Sequence, residues 1–152
     1  MSNIDKRITE LGFRLPSPPV ALASYVPAKR VGNLIYTSGQ LPFVDGKLTD
    51  LGLLGKNVEI DIAKKAAGIC VLNALAVIKD LVGDLDQIKQ IVKVVGFVAC
   101  DANFDKHSLV VNGASDFLLE VFGDKGKHAR SAIGVSSLPL NSCVEVELIV
   151  EI

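Results

Sequence analysis

The strongest pattern in the chain is a run of apolar residues, spaced three and four positions apart, across Ile60–Val82. This spacing places an apolar stripe along one side of a helix, and Gly83 directly after it is typical of a helix end. A second run of the same kind predicts a helix over residues 105–122. A shorter one predicts an N-terminal helix over residues 4–11, capped by Ser2 or Asn3.

Alternation of apolar and polar residues predicts strands elsewhere. The clearest case is residues 143–151, where Val144, Val146, Leu148 and Val150 alternate with Glu145, Glu147 and Glu151. Further strands are predicted over residues 21–27, 33–38, 91–99 and 131–135. The turn residues Gly32-Asn33 and Asp45-Gly46 predict two hairpins, the second of them short. We predict a loop over residues 49–57 and a helical turn over residues 84–89.

The predicted order is strand, strand, helix, strand, helix, strand, strand. If both helical crossovers are right-handed, the helices lie on the same side of a mixed sheet. We therefore predict an α+β fold with a single mixed sheet and two helices on one face, in one domain over residues 1–152 with an N-terminal helical extension over residues 1–15. The other face would need cover from another subunit. Ile35, Phe97 and Ile149 are assigned to that face.

Composition narrows the possible functions. The 152 residues are 49% hydrophobic and carry a formal net charge of -1, which does not favour binding to nucleic acid. Three separate cysteines without a C-x-x-C spacing indicate neither disulfides nor zinc, so we expect a cytoplasmic protein. The longest charge-free stretch, residues 66–78, is shorter than the roughly 20 residues of a membrane span. Motifs for nucleotide, dinucleotide or zinc binding are absent, so we expect no cofactor and no metal.

Two places in the sequence are candidates for ligand binding. Arg130 lies among the basic residues Lys125, Lys127 and His128, which form either an anion site or a solvated loop. Arginine suits a carboxylate because its planar fork donates two parallel hydrogen bonds. Ser38-Gly39 ends an apolar strand, where a hydroxyl and a backbone N–H either meet a ligand or form an ordinary turn. His107 and His128 receive no catalytic role.

Several short segments together resemble a known family. They are Tyr25-Val26, the run N-L-I-Y-T-S-G-Q at residues 33–40, Val111-Asn112, Ala129-Arg130-Ser131, Leu138-Pro139 and Val144-Glu145-Val146. The combination, spread over residues 19–152, is similar to the Rid family, also called YjgF or endoribonuclease L-PSP-like. Residues 46–60, the loop around Asp84 and the N-terminal helix differ from compact members and indicate a longer branch.

The resemblance implies a chorismate-mutase-like (ferredoxin-like) subunit in a homotrimer, with ligand clefts between subunits. It implies hydrolysis of reactive enamines and imines, such as 2-aminoacrylate, to a 2-keto acid and ammonia without a cofactor. Arg130 matches the arginine that pairs with the substrate carboxylate, and Glu145 matches the acid near the attacking water. Ala132 stands where the deaminase branch often has cysteine, so only its backbone N–H could serve. The matched cleft-lining positions are Tyr25, Ser38, Gly39 and Asn112.

Two other functions remain open. The first is a non-catalytic trimer that binds a small carboxylate or metabolite for regulation. The second is RNA cleavage, which the older family name suggests. A sequence pI of 6.1 and 5% aromatic residues argue against RNA cleavage, because affinity for nucleic acid depends on neutralised phosphates and stacked bases.

Overall fold

The computed structural model describes residues 1–20 and 23–152, and within them five strands form one mixed sheet. The helices are α1 (Asn3–Glu10), α2 (Ile60–Val82) and α3 (His107–Phe122). The strands are β1 (Ala28–Val31), β2 (Leu34–Thr37), β3 (Gln90–Ala99), β4 (Ala129–Val135) and β5 (Val144–Glu151). Short 3-10 turns occupy Leu85–Gln87, Gly123–Gly126 and Pro139–Asn141.

The strand order across the sheet is β1-β2-β5-β3-β4. Only β3 and β4 pair in parallel; the other neighbours are antiparallel. The predicted α+β class and single mixed sheet are therefore confirmed. Because β5 lies between β2 and β3, the last strand joins the opening hairpin to the rest of the sheet.

The two long helices cover one face of this sheet. Along β5, Val144, Val146, Leu148 and Val150 are buried beneath α2, while the intervening residues are half-buried on the other face. Helix α3 covers β3 and β4. Strand pairing carries this alternation to β3, where Val94 and Val98 are buried opposite Leu148 and Val144. We refer to the second face, which carries no helix, as the open face.

The opening hairpin differs from its prediction. Its turn lies at Gly32-Asn33 as expected, but β1 begins at Ala28 and not within residues 21–27. Part of the predicted strand, residues 21 and 22, lies outside the described residues. The assignment of Ile35 was also wrong, because its side chain is completely buried on the helix face. Tyr36 lies on the open face instead, opposite Ile149.

The second predicted hairpin is reduced to one turn. Asp45 and Gly46 both have positive φ, as a two-residue hairpin turn requires, but only Val44 and Lys47 pair across it. The 3-10 turn Leu85–Gln87 agrees with the helical turn predicted for residues 84–89.

Helix α1 is fixed at its start and on its inner side. The Ser2 side chain and Asp5 form a capping box, and Asp86 accepts hydrogen bonds from the backbone N–H groups of Asn3 and Ile4 at 2.9 Å each. Ile8 is buried in the same core as the long helices. The division into one domain with an N-terminal extension stays a prediction. Among the described residues, no helix is long and apolar enough to cross a membrane.

The backbones of α2 and α3 approach each other closely at Gly113. A methyl group there would clash with the backbone carbonyl of Lys64, which cannot move without moving α2. The carbonyl oxygen of Gly113 in turn lies 3.4 Å from where a methyl group on Gly68 would stand, which is close to ordinary contact. Gly113 therefore permits the helix contact, whereas Gly68 only borders it.

We expect Gly113→Ala to lower the free energy of unfolding by about 1 to 3 kcal/mol, because overpacking outweighs the better helix propensity of alanine. Gly68→Ala is the matched control and should leave stability unchanged or raise it by up to about 1 kcal/mol. Urea unfolding monitored by circular dichroism measures both. Equal stability of the two variants would contradict the close approach at Gly113.

Candidate functional site

Arg130 lies on the helix face of β4, the edge strand. It pairs in register with the buried Val94, so its side chain leaves the sheet toward α3. The guanidinium Nη1 donates to Asn112 Oδ1 at 2.8 Å and to Ser115 Oγ at 3.1 Å. Both partners lie on α3, three residues apart and thus on one side of that helix. Arg130 and Asn112, each predicted as a site residue, are therefore in direct contact.

These two bonds decide which edge of the guanidinium can meet a ligand. Nη1 carries two hydrogens, and the two acceptors on α3 use both. Neither Nε nor Nη2 makes a hydrogen bond to the described part of the chain. The Nε hydrogen and one of the two Nη2 hydrogens point in parallel along another edge. Two parallel donors match the two oxygens of a carboxylate.

A further pair of residues supports this arrangement. Ser115 Oγ lies 2.8 Å from Nε2 of His128, and Nδ1 of His128 lies 2.6 Å from the carbonyl oxygen of Gly126. Neither residue was assigned a role from the sequence. The signal that could have found them is spacing: Ser115 follows Asn112 by three positions, and His128 precedes Arg130 by two. We call Asn112, Ser115, His128 and Arg130 the arginine cluster.

Ala132 follows Arg130 on the same face of β4 and packs against the core. It brings no thiol to the arginine cluster. The thiol of Cys100 lies instead beside Gly134, two positions further along, with its Sγ 3.4 Å from His107 Nε2. Burial, helped by Asp101, raises the pKa of the Cys100 thiol, so this group is a poor nucleophile near neutral pH.

Glu145 lies on the open face, next to Phe97 of β3. Its carboxylate lies against the backbone of Gly39, where a methyl group would clash with it. Burial, and secondly the nearby Glu147, raise the pKa of the Glu145 carboxyl. Both effects disfavour the ionised form, and they bring the group closer to the pH range in which it can both accept and return a proton.

Ser38 holds the segment before β1 against the end of β2. Its hydroxyl donates to the carbonyl of Val26 at 2.7 Å, and its N–H donates to the carbonyl of Pro27 at 2.8 Å. The hydroxyl and the N–H of Ser38 are thus both used as donors within the chain, although the hydroxyl oxygen can still accept. The neighbouring Tyr25 is 57% exposed. We call Tyr25, Ser38, Gly39 and Glu145 the glutamate cluster.

The two clusters do not meet within one chain. Arg130 is on the helix face in the row of Val94 and Leu148, whereas Glu145 is on the open face in the row of Phe97 and Ile133. A β-sheet lies between the two side chains. A single ligand could therefore touch both only if they came from different copies of the chain.

Other parts of the molecule offer little chemistry. A cavity of about 480 Å³ lies at the start of α2, between Gly55–Ile60 and the loop before α3, and contains no predicted site residue. Within residues 1–20 and 23–152, no three side chains of the His, Cys, Asp or Glu type are grouped so as to hold a metal ion.

Comparison with known proteins agrees with this fold along nearly the whole chain. The family model described as YjgF/chorismate mutase-like, putative endoribonuclease, matches residues 5–152. Protein TCP17 of Trypanosoma cruzi is 38% identical over 146 residues, which cover 95% of this chain and 91% of that protein.

Two crystal structures are similar over more than nine tenths of their length. Protein Atu1372 of Agrobacterium tumefaciens, of unknown function, is 46% identical with a TM-score of 0.92, covering 99% of this chain and 92% of that one. A putative endoribonuclease from Shewanella oneidensis MR-1 is 36% identical with a TM-score of 0.94, and the match covers 98% of this chain and 99% of that one. The chain therefore belongs to the YjgF/Rid family, as its sequence motifs predict.

Proposed function

We propose that this protein hydrolyses small reactive imino acids to 2-keto acids and ammonia, in clefts between the subunits of a homotrimer. The arginine cluster of one subunit would bind the substrate carboxylate, and the glutamate cluster of its neighbour would handle the proton of water. The observation that carries the proposal is the Arg130 guanidinium, whose Nη1 is held by α3 while its Nε–Nη2 edge remains available. No cofactor is required, because an imine carbon is already electrophilic.

In the proposed reaction, Glu145 accepts a proton from water as the water oxygen bonds to the imine carbon. The π electrons of the C=N bond move to nitrogen, which takes up a proton from bulk water, and a carbinolamine results. Glu145 then returns its proton to the amine and the C–N bond breaks. The carbinolamine hydroxyl gives its proton back to bulk water as it becomes the keto group and ammonia leaves. An enamine first tautomerises to the imine. The raised pKa of Glu145 suits both directions of proton transfer.

The homotrimer is part of the proposal because the two clusters lie on opposite faces of the sheet. The open face carries apolar side chains that a neighbouring subunit would cover. On this face, Tyr36 of β2 is 42% exposed and Ile133 of β4 is 41% exposed. Ile149 of β5 and Phe97 of β3 lie on the same face, between β2 and β4. Apolar side chains that are exposed in a single chain are typical of surfaces that become buried between identical subunits. Location in the cytoplasm stays a prediction.

A second function is binding without catalysis. It is favoured by the fact that the arginine cluster is complete within one chain, while the only carboxylate of the glutamate cluster is remote from it. A carboxylate could thus bind and be sensed without being changed. RNA cleavage has weaker support: it rests on the description of the family model and the name of the Shewanella oneidensis structure, and a net charge of -1 offers no field for phosphates.

Arg130→Ala should lower kcat/KM for an imino acid roughly 10-fold to 150-fold with the fold intact, because it removes a charge-assisted pair. Arg130→Lys should also be impaired, since an ammonium cannot donate two parallel hydrogen bonds. Hydrolysis of enzymatically generated imines measures catalysis, and calorimetric titration of pyruvate measures carboxylate binding. Arg14→Lys, an exposed arginine after α1, is the matched control. Wild-type affinity for pyruvate in Arg130→Ala would contradict the carboxylate site.

Glu145→Gln should lower turnover while leaving pyruvate affinity nearly unchanged. The sharper test mixes unfolded Arg130→Ala and Glu145→Gln subunits and refolds them together. In a trimer with clefts between subunits, each mixed trimer regains one intact cleft, so activity should return to about a quarter of wild type. No recovery in mixed trimers would contradict a shared cleft. If wild type binds keto acids but hydrolyses no imine, binding without catalysis is the better function.

The raised pKa of Glu145 also predicts a pH-dependent change in stability. An acid whose pKa is higher in the folded state favours folding at low pH, and this contribution is lost as pH rises through the folded pKa. Glu145→Gln should therefore unfold at a higher temperature than wild type at neutral pH, and the difference should close below the ordinary range of glutamate. Thermal scans from about pH 3 to about pH 8 measure this, with the exposed Glu120→Gln as the control. A difference that grows at acid pH would contradict burial as the cause of the raised pKa.

A further inference from the structure

We propose that Ser115 and His128 are positioning residues for Arg130, acting through a one-directional chain of hydrogen bonds that sets the orientation of the guanidinium. The inference deepens the proposed function and rests on it for the nature of the ligand. Its structural part, the control of the Arg130 side chain, can be tested without any ligand.

The chain of bonds begins at Gly126. A carbonyl oxygen can only accept, so Nδ1 of His128, 2.6 Å away, carries the proton. This carbonyl has a fixed position, because Gly126 is buried and a methyl group there would clash with the backbone carbonyl of Leu118 in α3. The turn after α3 thus determines the tautomer of the ring.

The direction of the next bond follows from this tautomer. In a neutral ring with a proton on Nδ1, Nε2 is an acceptor, so the Ser115 hydroxyl donates to it across 2.8 Å. The oxygen lone pairs of Ser115 then face Arg130, whose Nη1 donates at 3.1 Å. The guanidinium has donors only, so the hydroxyl hydrogen cannot point toward it. Each donated hydrogen in this series of hydrogen bonds therefore has one acceptor.

This arrangement determines the plane of the guanidinium. One acceptor, Asn112 Oδ1, would leave the group free to tilt about a single bond. Two acceptors on the same nitrogen fix both hydrogens of Nη1 and with them the direction of the Nε–Nη2 edge. A misdirected fork loses one of its two bonds to a carboxylate, so Ser115 and His128 should act on substrate binding more than on turnover.

The test compares variants that keep or remove one hydrogen-bonding group in the series from Gly126 to Arg130. Ser115→Ala removes the hydroxyl, whereas Ser115→Thr keeps it. His128→Gln keeps an acceptor at the position of Nε2, whereas His128→Asn keeps only a donor to Gly126. Ser108→Ala, an exposed serine on the same helix, is the control. Thermal unfolding verifies that each variant is folded.

Ser115→Ala and His128→Asn should weaken pyruvate binding about 3-fold to 10-fold by calorimetry, matching the loss of one hydrogen bond. KM should rise by a similar factor with kcat little changed. Ser115→Thr and His128→Gln should recover most of the affinity. Equal affinities within either pair of variants would overturn the positioning role.

Nuclear magnetic resonance gives a readout that needs no ligand. In the wild type, ¹⁵N spectra should show the Nδ1–H tautomer of His128, and the Nη protons of Arg130 should be resolved by slow rotation. Ser115→Ala should average the Arg130 signals, and Ser108→Ala should not. If these signals behave as expected while wild type binds no pyruvate, the proposed function fails and the positioning stands. An Nε2–H tautomer, or Arg130 signals averaged already in the wild type, would overturn the inference.

Discussion

The two-residue alternation of β5 is the constraint on which the rest of the structure depends. This strand is paired on both sides, so the side chains that it buries decide which face of the whole sheet receives the helices. A shift of one residue would put its glutamates into the core and its valines into water. Because β3 and β4 follow its register, the same alternation sends Arg130 toward α3 and Glu145 away from it.

That separation of charges has a physical advantage. An arginine and a glutamate within reach of each other in one chain would form an ion pair, which would compete with any carboxylate ligand. Within one chain the sheet keeps them apart, and the guanidinium is satisfied on one nitrogen by neutral acceptors. In the proposed cleft the two groups would come from different subunits, with the substrate between them. Within residues 1–20 and 23–152, Glu145 likewise forms no ion pair, and burial raises the pKa of its carboxyl.

Long elements could be predicted from the sequence, and short ones less well. Helix α2 was predicted with its observed bounds, because its apolar stripe is long and Gly83 ends it. The strand Leu34–Thr37 offers two adjacent apolar candidates, Ile35 and Tyr36, so the sequence could not decide which of them faces the core. Tertiary pairing with β5 decides it. The family motifs predict Arg130, Asn112 and Glu145 as site residues. Spacing alone links Ser115 to Asn112 and His128 to Arg130, and it does not show the contact of Ser115 with His128, which forms only when α3 packs beside the start of β4.

The close approach of α2 and α3 also bears on the entropy of ligand binding. Gly113 is the residue after Asn112. The turn of α3 that contacts Arg130 therefore packs backbone to backbone against α2. Such a turn has little freedom to slide or rotate. Binding to an arginine that is already immobile costs less conformational entropy than binding that must first order a flexible side chain. The stiffness of the scaffold, as well as the charge of the guanidinium, would thus contribute to affinity for the small carboxylate that we propose as ligand.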